Sequence, residues 1–131
     1  MEYKNDFIER EVQRITQFIR ELINKIATGG SSEAYRDTID KQLKEKLDFG
    51  FYELLKLNNA ELINKIKGVD VMILSSLVSL FYGLDIANDD FTASNEVKRV
   101  SLIIIEEIEK TTDIYSLQRQ QIKNYFKSQK K

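Results

Sequence analysis

A chain of 131 residues, 42% hydrophobic and 31% charged, fits one globular domain with a core of its own. It holds no His, Cys, Trp or Pro, which removes the usual neutral-pH base, the thiolate nucleophile and the ligands of most zinc sites. Twenty basic residues against 21 acidic ones leave a net charge of -1, too balanced for a dedicated nucleic-acid binder.

Without Pro, only Gly, Asn, Asp, Ser and Thr are left to stop a helix, so nearly continuous helix is expected. The first helix should start at Asn5 or Asp6, either of which can cap it. Phe7, Ile8, Val12, Ile15, Phe18, Ile19, Leu22, Ile23 and Ile26 fall in one sector at 100° per residue, with charged residues opposite. Gly29, Gly30, Ser31 and Ser32 end this helix and form a hinge, and either serine can cap the next one.

The second helix carries Tyr35, Ile39, Leu43 and Leu47 at four-residue steps, then meets a break or bend at Asp48–Phe51. Leu54, Leu55 and Leu57 extend helical character to Asn58 and Asn59. Asn59 caps a short helix through Ile66, closed by Lys67 and Gly68.

Asp70 caps a fourth helix that runs to about Ile86, with Ile73, Leu74, Leu77, Val78, Leu80, Phe81 and Leu84 on its core half. Opposite them Ser75, Ser79 and Gly83 recur every four residues, with Ser76 beside them. Such a row either lets a neighbouring helix approach closely or faces water. The segment Val69–Leu84 falls short of the roughly 20 apolar residues that a membrane span needs, so no membrane contact is expected.

The loop 87–90 leads to a fifth helix capped by Thr92 or Ser94. Ala93, Val97, Val100, Ile104 and Ile108 form its stripe, while Leu102, Ile103 and Ile105 point elsewhere. A helix apolar on nearly all sides is central or packs against another subunit. The β-branched run 100–105 also fits a buried strand, but its charged flanks favour helix. Asp113 caps a last helix with Ile114, Leu117, Ile122, Tyr125 and Phe126 on its apolar side; the cations that follow complement its dipole.

Three patterns bear on chemistry. In the segment 85–96, Asp85, Asp89 and Glu96 stand where a calcium loop needs ligands, but Ala87 and Asp90 occupy positions that require a ligand and a Gly. Glu106, Glu107 and Glu109 have no His partner and match a solvated face better than a di-metal bundle. The Gly29–Ser32 loop follows a helix, lacks the Lys of a phosphate loop, and serves as a hinge. No catalytic, cofactor-binding or metal-ligating residue is assigned, and no cofactor is expected.

Met1–Arg10 mixes acids and bases without an apolar core, so no cleaved signal is expected, and the lack of Cys fits a reducing, cytoplasmic location. The segments 5–15 (NDFIEREVQRI) and 18–23 (FIRELI) resemble the opening helix of small bacterial helical proteins. In those proteins such a helix precedes a tetratricopeptide-like helix pair, and 73–85, 96–109 and the final helix look like such a pair and its cap. The resemblance implies an interaction or assembly role and no activity; it supplies one repeat, not the three or so of a solenoid.

The expectation is therefore an all-α domain over residues 1–131, a bundle of five or six helices with a tetratricopeptide-like hairpin. The helix 1–28 packs across the bundle 32–128 or swaps between subunits. Its expected function is a non-enzymatic interaction module that self-associates as a homodimer or binds another protein. The alternative is a small-ligand or regulatory binding protein, its inter-helix pocket lined by Tyr52, Phe81, Tyr82 or Tyr115.

Overall fold

The computed structural model describes residues 2–28, 33–87 and 91–128, with side chains described over 8–28, 36–87 and 95–128. These residues are all-helical, without a strand. The helices are α1 (Glu2–Ala27), α2 (Glu33–Leu47), α3 (Phe51–Lys56), α4 (Asn59–Ile66), α5 (Val71–Ala87), α6 (Phe91–Thr111) and α7 (Leu117–Ser128).

Among the described residues the helix count is seven, not five or six, because the bend expected at 48–51 is a full break. Asp48 takes a left-handed φ of 68°, and its N–H still donates to Lys44 O at 3.0 Å, closing the last turn of α2. Gly50 is then extended, with φ -107° and ψ 173°. The Asp40 carboxylate of α2 accepts the Tyr52 N–H at 2.9 Å, doing for α3 what a local cap would do. A Cβ on Gly50 would stand 3.0 Å from Asp40 Cγ and 3.2 Å from the Asp40 carbonyl oxygen, so the missing side chain is what admits the contact. The break turns both Phe49 and Phe51 into the core.

Several caps sit differently from expectation. The helix α1 begins at Glu2, ahead of Asn5 and Asp6. The N-cap of α4 is Asn58, not Asn59: its side chain accepts the Glu61 N–H at 2.8 Å, and the Glu61 carboxylate accepts the Asn58 N–H at 3.1 Å. Asp70 caps α5 as expected, accepting the Met72 N–H at 2.8 Å. Thr92 and Ser94 lie inside the first turn of α6. Asp113 does not cap the last helix; residues 112–116 are non-helical, and Ser116 Oγ accepts the Arg119 N–H at 3.1 Å. Gly29–Ser32 and Asn88–Asp90 lie outside the described residues.

The core is arranged around α5 and α6. The helix α5 packs against α1, α6 and α7, and α6 packs against α3, α4, α5 and α7. From α1 the seam Val12, Ile15, Ile19, Leu22 and Ile26, spaced alternately three and four residues, is buried, with α1 packed on α5; Ile8 is exposed instead. The expected core half of α5 is buried throughout. On α6, Val97, Val100, Ile104 and Ile108 are buried as one stripe and Ile105 joins them, while Leu102 and Ile103 are half-buried. Four helical neighbours account for its all-round apolar surface, and the β-branched run is helix, not strand.

One cation ties the distal helices to this core. Arg99 of α6 donates from Nη2 to the carbonyls of Leu55 (3.1 Å) and Leu57 (2.9 Å), and from Nη1 to Asn59 Oδ1 (2.8 Å). Its Nε meets Glu96 at 2.9 Å. The planar fork thereby satisfies carbonyls that α3, ending at Lys56, leaves without helical donors.

Candidate functional site

The outer face of α5 is the part of the molecule whose side chains have the least structural explanation. Ser75, Ser76, Ser79 and Gly83 are half-buried, and a Cβ on Gly83 would meet nothing within 4 Å. The small-residue row is therefore not closed over at Gly83 by a neighbouring helix. It floors an open groove of about 450 Å³, with Arg20 and Ile23 of α1 on one wall and Gln118 of α7 on the other.

Under the α7 side lies a smaller pit of about 30 Å³, room for roughly one water, between Ser75, Ser79, Ile108, Ser116 and Ile122. Gln118 Nε2 reaches across to Ser79 Oγ at 3.5 Å. Arg119 is mostly buried and donates to Ile114 O at 2.8 Å, which pins the 112–116 connection to the start of α7. Glu109 accepts from Lys123 at 2.9 Å and stands 3.9 Å from Arg119, fastening α7 to α6.

At the far end an aromatic group closes the floor. Tyr82 meets Tyr125 edge-on at 5.0 Å, and Tyr125 contacts Phe126 at 5.2 Å. Tyr125 Oη donates to the buried carboxylate of Asp85 at 2.8 Å. Burial, then this hydrogen bond and the charge of Asp85, push the phenol up to about 12, so it stays protonated and keeps donating.

Large apolar side chains stand exposed around the groove. Met72 and Ile86 lie seven residues either side of Ser79, hence on the same face of α5, and are 58% and 53% exposed. Ile114, Tyr115 and Leu117, on the connection into α7, are 74%, 69% and 62% exposed. Ile114 and Leu117 were expected on the apolar side of the last helix. The connection there is not helical before Leu117, so the helical stripe does not apply to Ile114.

The four aromatic residues expected at an inter-helix pocket do not converge on one cavity. Phe81 is fully buried against Phe51, Tyr52 donates to Asp37 at 2.7 Å beside α2, and Tyr115 points outward; only Tyr82 lines the groove. Of the calcium-like segment, Asp85 faces Tyr125 and Glu96 pairs with Arg99, while Asp89 and Asp90 lie outside the described residues. Among the described residues, no group of three or more acidic side chains is placed to hold a metal, and no helix is long and apolar enough to cross a membrane. The groove walls Arg20 and Gln118 went unnoticed in the sequence; the pairing of Met72 and Ile86 about Ser79 is the periodic signal that marks this face.

No protein-family model matches the chain, and neither a curated protein nor a solved structure matches it.

Proposed function

We propose that the chain is a non-enzymatic helical interaction or assembly module that self-associates, with the groove along α5 as its contact surface. The observation that carries this reading is the outer face of α5: small residues at Ser75, Ser79 and Gly83 with open space above Gly83, bracketed by exposed Met72 and Ile86. Small residues admit close approach of another backbone, and apolar groups bracketing them supply burial once it arrives. The consecutive helices α5 and α6 pack against each other, and the tetratricopeptide-like resemblance adds that such a hairpin presents a surface to other proteins.

Sedimentation velocity over a micromolar concentration series tests this reading. A reversible monomer–dimer equilibrium is expected, and a single monomeric species across the whole series overturns self-association.

A further inference from the structure

The groove and the exposed connection 112–117 lie side by side, one concave and the other protruding. We infer that two copies of the chain pair about a two-fold axis, each seating its Ile114–Leu117 segment in the α1/α5 groove of the other and pairing its Asp113 with the other's Arg20. This rests on the self-association proposed above and specifies its surface.

Three observations favour a second copy as the occupant. The first is placement. Gln118 forms a groove wall and immediately follows Leu117, so knob and hole are adjacent on one surface, as an isologous contact requires. The second is charge. Among the described residues Arg20 is the one charged side chain lining the groove; it is exposed, and its Nη1 donates to the neutral Gln17 Oε1 at 3.3 Å. Asp113 is the single charged residue between Thr111 and Gln118, and it too is exposed. The two surfaces thus carry one charge each, of opposite sign.

The third is area. At about 200 Å² for a large apolar side chain, the exposed fractions of Met72, Ile86, Ile114, Tyr115 and Leu117 present about 600 Å² per protomer. The groove floor brings this near the roughly 800 Å² per partner of a stable interface. The cleft of about 450 Å³ has room for the Tyr115 ring and a neighbouring aliphatic group.

The test is a charge swap read by sedimentation equilibrium, with circular dichroism to verify that each variant folds. Arg20→Glu and Asp113→Arg singly are expected to weaken the dimer about tenfold or more by setting like charges opposite each other. The double variant Arg20→Glu/Asp113→Arg is expected to restore it. Tyr115→Ala is expected to weaken the dimer without touching either charge. A dimer indifferent to the single reversals, or one that the double reversal does not restore, overturns the pairing and leaves self-association standing. A wild-type chain that stays monomeric overturns both.

Discussion

Arg99 gives the most quantitative prediction. Replacing it with Ala removes two charge-assisted bonds to the Leu55 and Leu57 carbonyls, a third to Asn59, and the ion pair with Glu96. The ion pair is worth about 0.5 kcal/mol at most, because Glu96 is half exposed. Bonds from a charged donor to neutral carbonyls are worth about 1.5 kcal/mol or more each when buried. Leu55 and Leu57 are only half-buried, so about 1 kcal/mol apiece is appropriate. Arg99→Ala should therefore cost about 2–3 kcal/mol. With an unfolding entropy of about 2.1 cal/mol/K per residue over 131 residues, that lowers Tm by about 7–11 °C.

Arg99→Lys keeps the charge but loses the fork and should recover less than half of the deficit. Glu96→Gln, which removes the ion pair alone, should cost under about 0.5 kcal/mol. Urea titrations followed by helical circular dichroism, compared at constant m, provide the measurement. If Arg99→Ala costs no more than Glu96→Gln, the carbonyl clamp contributes nothing and the reasoning fails.

Three further outcomes are expected. Gly50→Ala drives a Cβ into the Asp40 carboxylate and should cost about 1–2 kcal/mol by displacing the cap on Tyr52 N–H. In an Asp40→Ala background the same change should cost much less, and additive losses in the double-mutant cycle would contradict the contact. Ser101 is fully buried in α6 and its hydroxyl has no hydrogen-bond partner among the described residues, so Ser101→Ala should stabilise the fold by about 1 kcal/mol in urea; a loss of that size would reveal a partner. The Tyr125 phenol is raised from 10.0 to about 12, so its contribution to stability is complete below pH 10 and is lost as pH rises toward 12. Ultraviolet titration of tyrosinate should find one late-ionising residue that Tyr125→Phe removes; an unchanged titration in that variant would refute the assignment.

The parts of the fold written in periodicity were legible. The buried seams of α1, α5 and α6 fall where spacings of three and four residues put them, since burial of an amphipathic face is a local pattern. The break between α2 and α3 was legible only as a bend, because it is sealed by Asp40, ten residues before Gly50, and depends on how α2 turns back on α3. Arg99 looked like one more charge on a polar flank; its carbonyl acceptors lie more than 40 residues away. The choice between Asn58 and Asn59 was decidable in advance, because Glu61 stands three residues after Asn58 and completes a reciprocal cap. The groove was half legible. The small-residue row was visible, but whether another helix filled it depended on how high α1 and α7 stand beside α5.

The stretch from Val71 to Leu84 holds no charged residue and no proline to interrupt it, and most of its side chains are apolar. Extended and uncovered, such a stretch has the makings of an aggregation-prone segment without gatekeepers. The fold answers with cover rather than with charge: α1 lies on α5 and precedes it in the chain. During synthesis the shield therefore leaves the ribosome before the segment it protects. The order of the helices, as much as their packing, lets the apolar core half of this stretch find its cover as soon as it emerges.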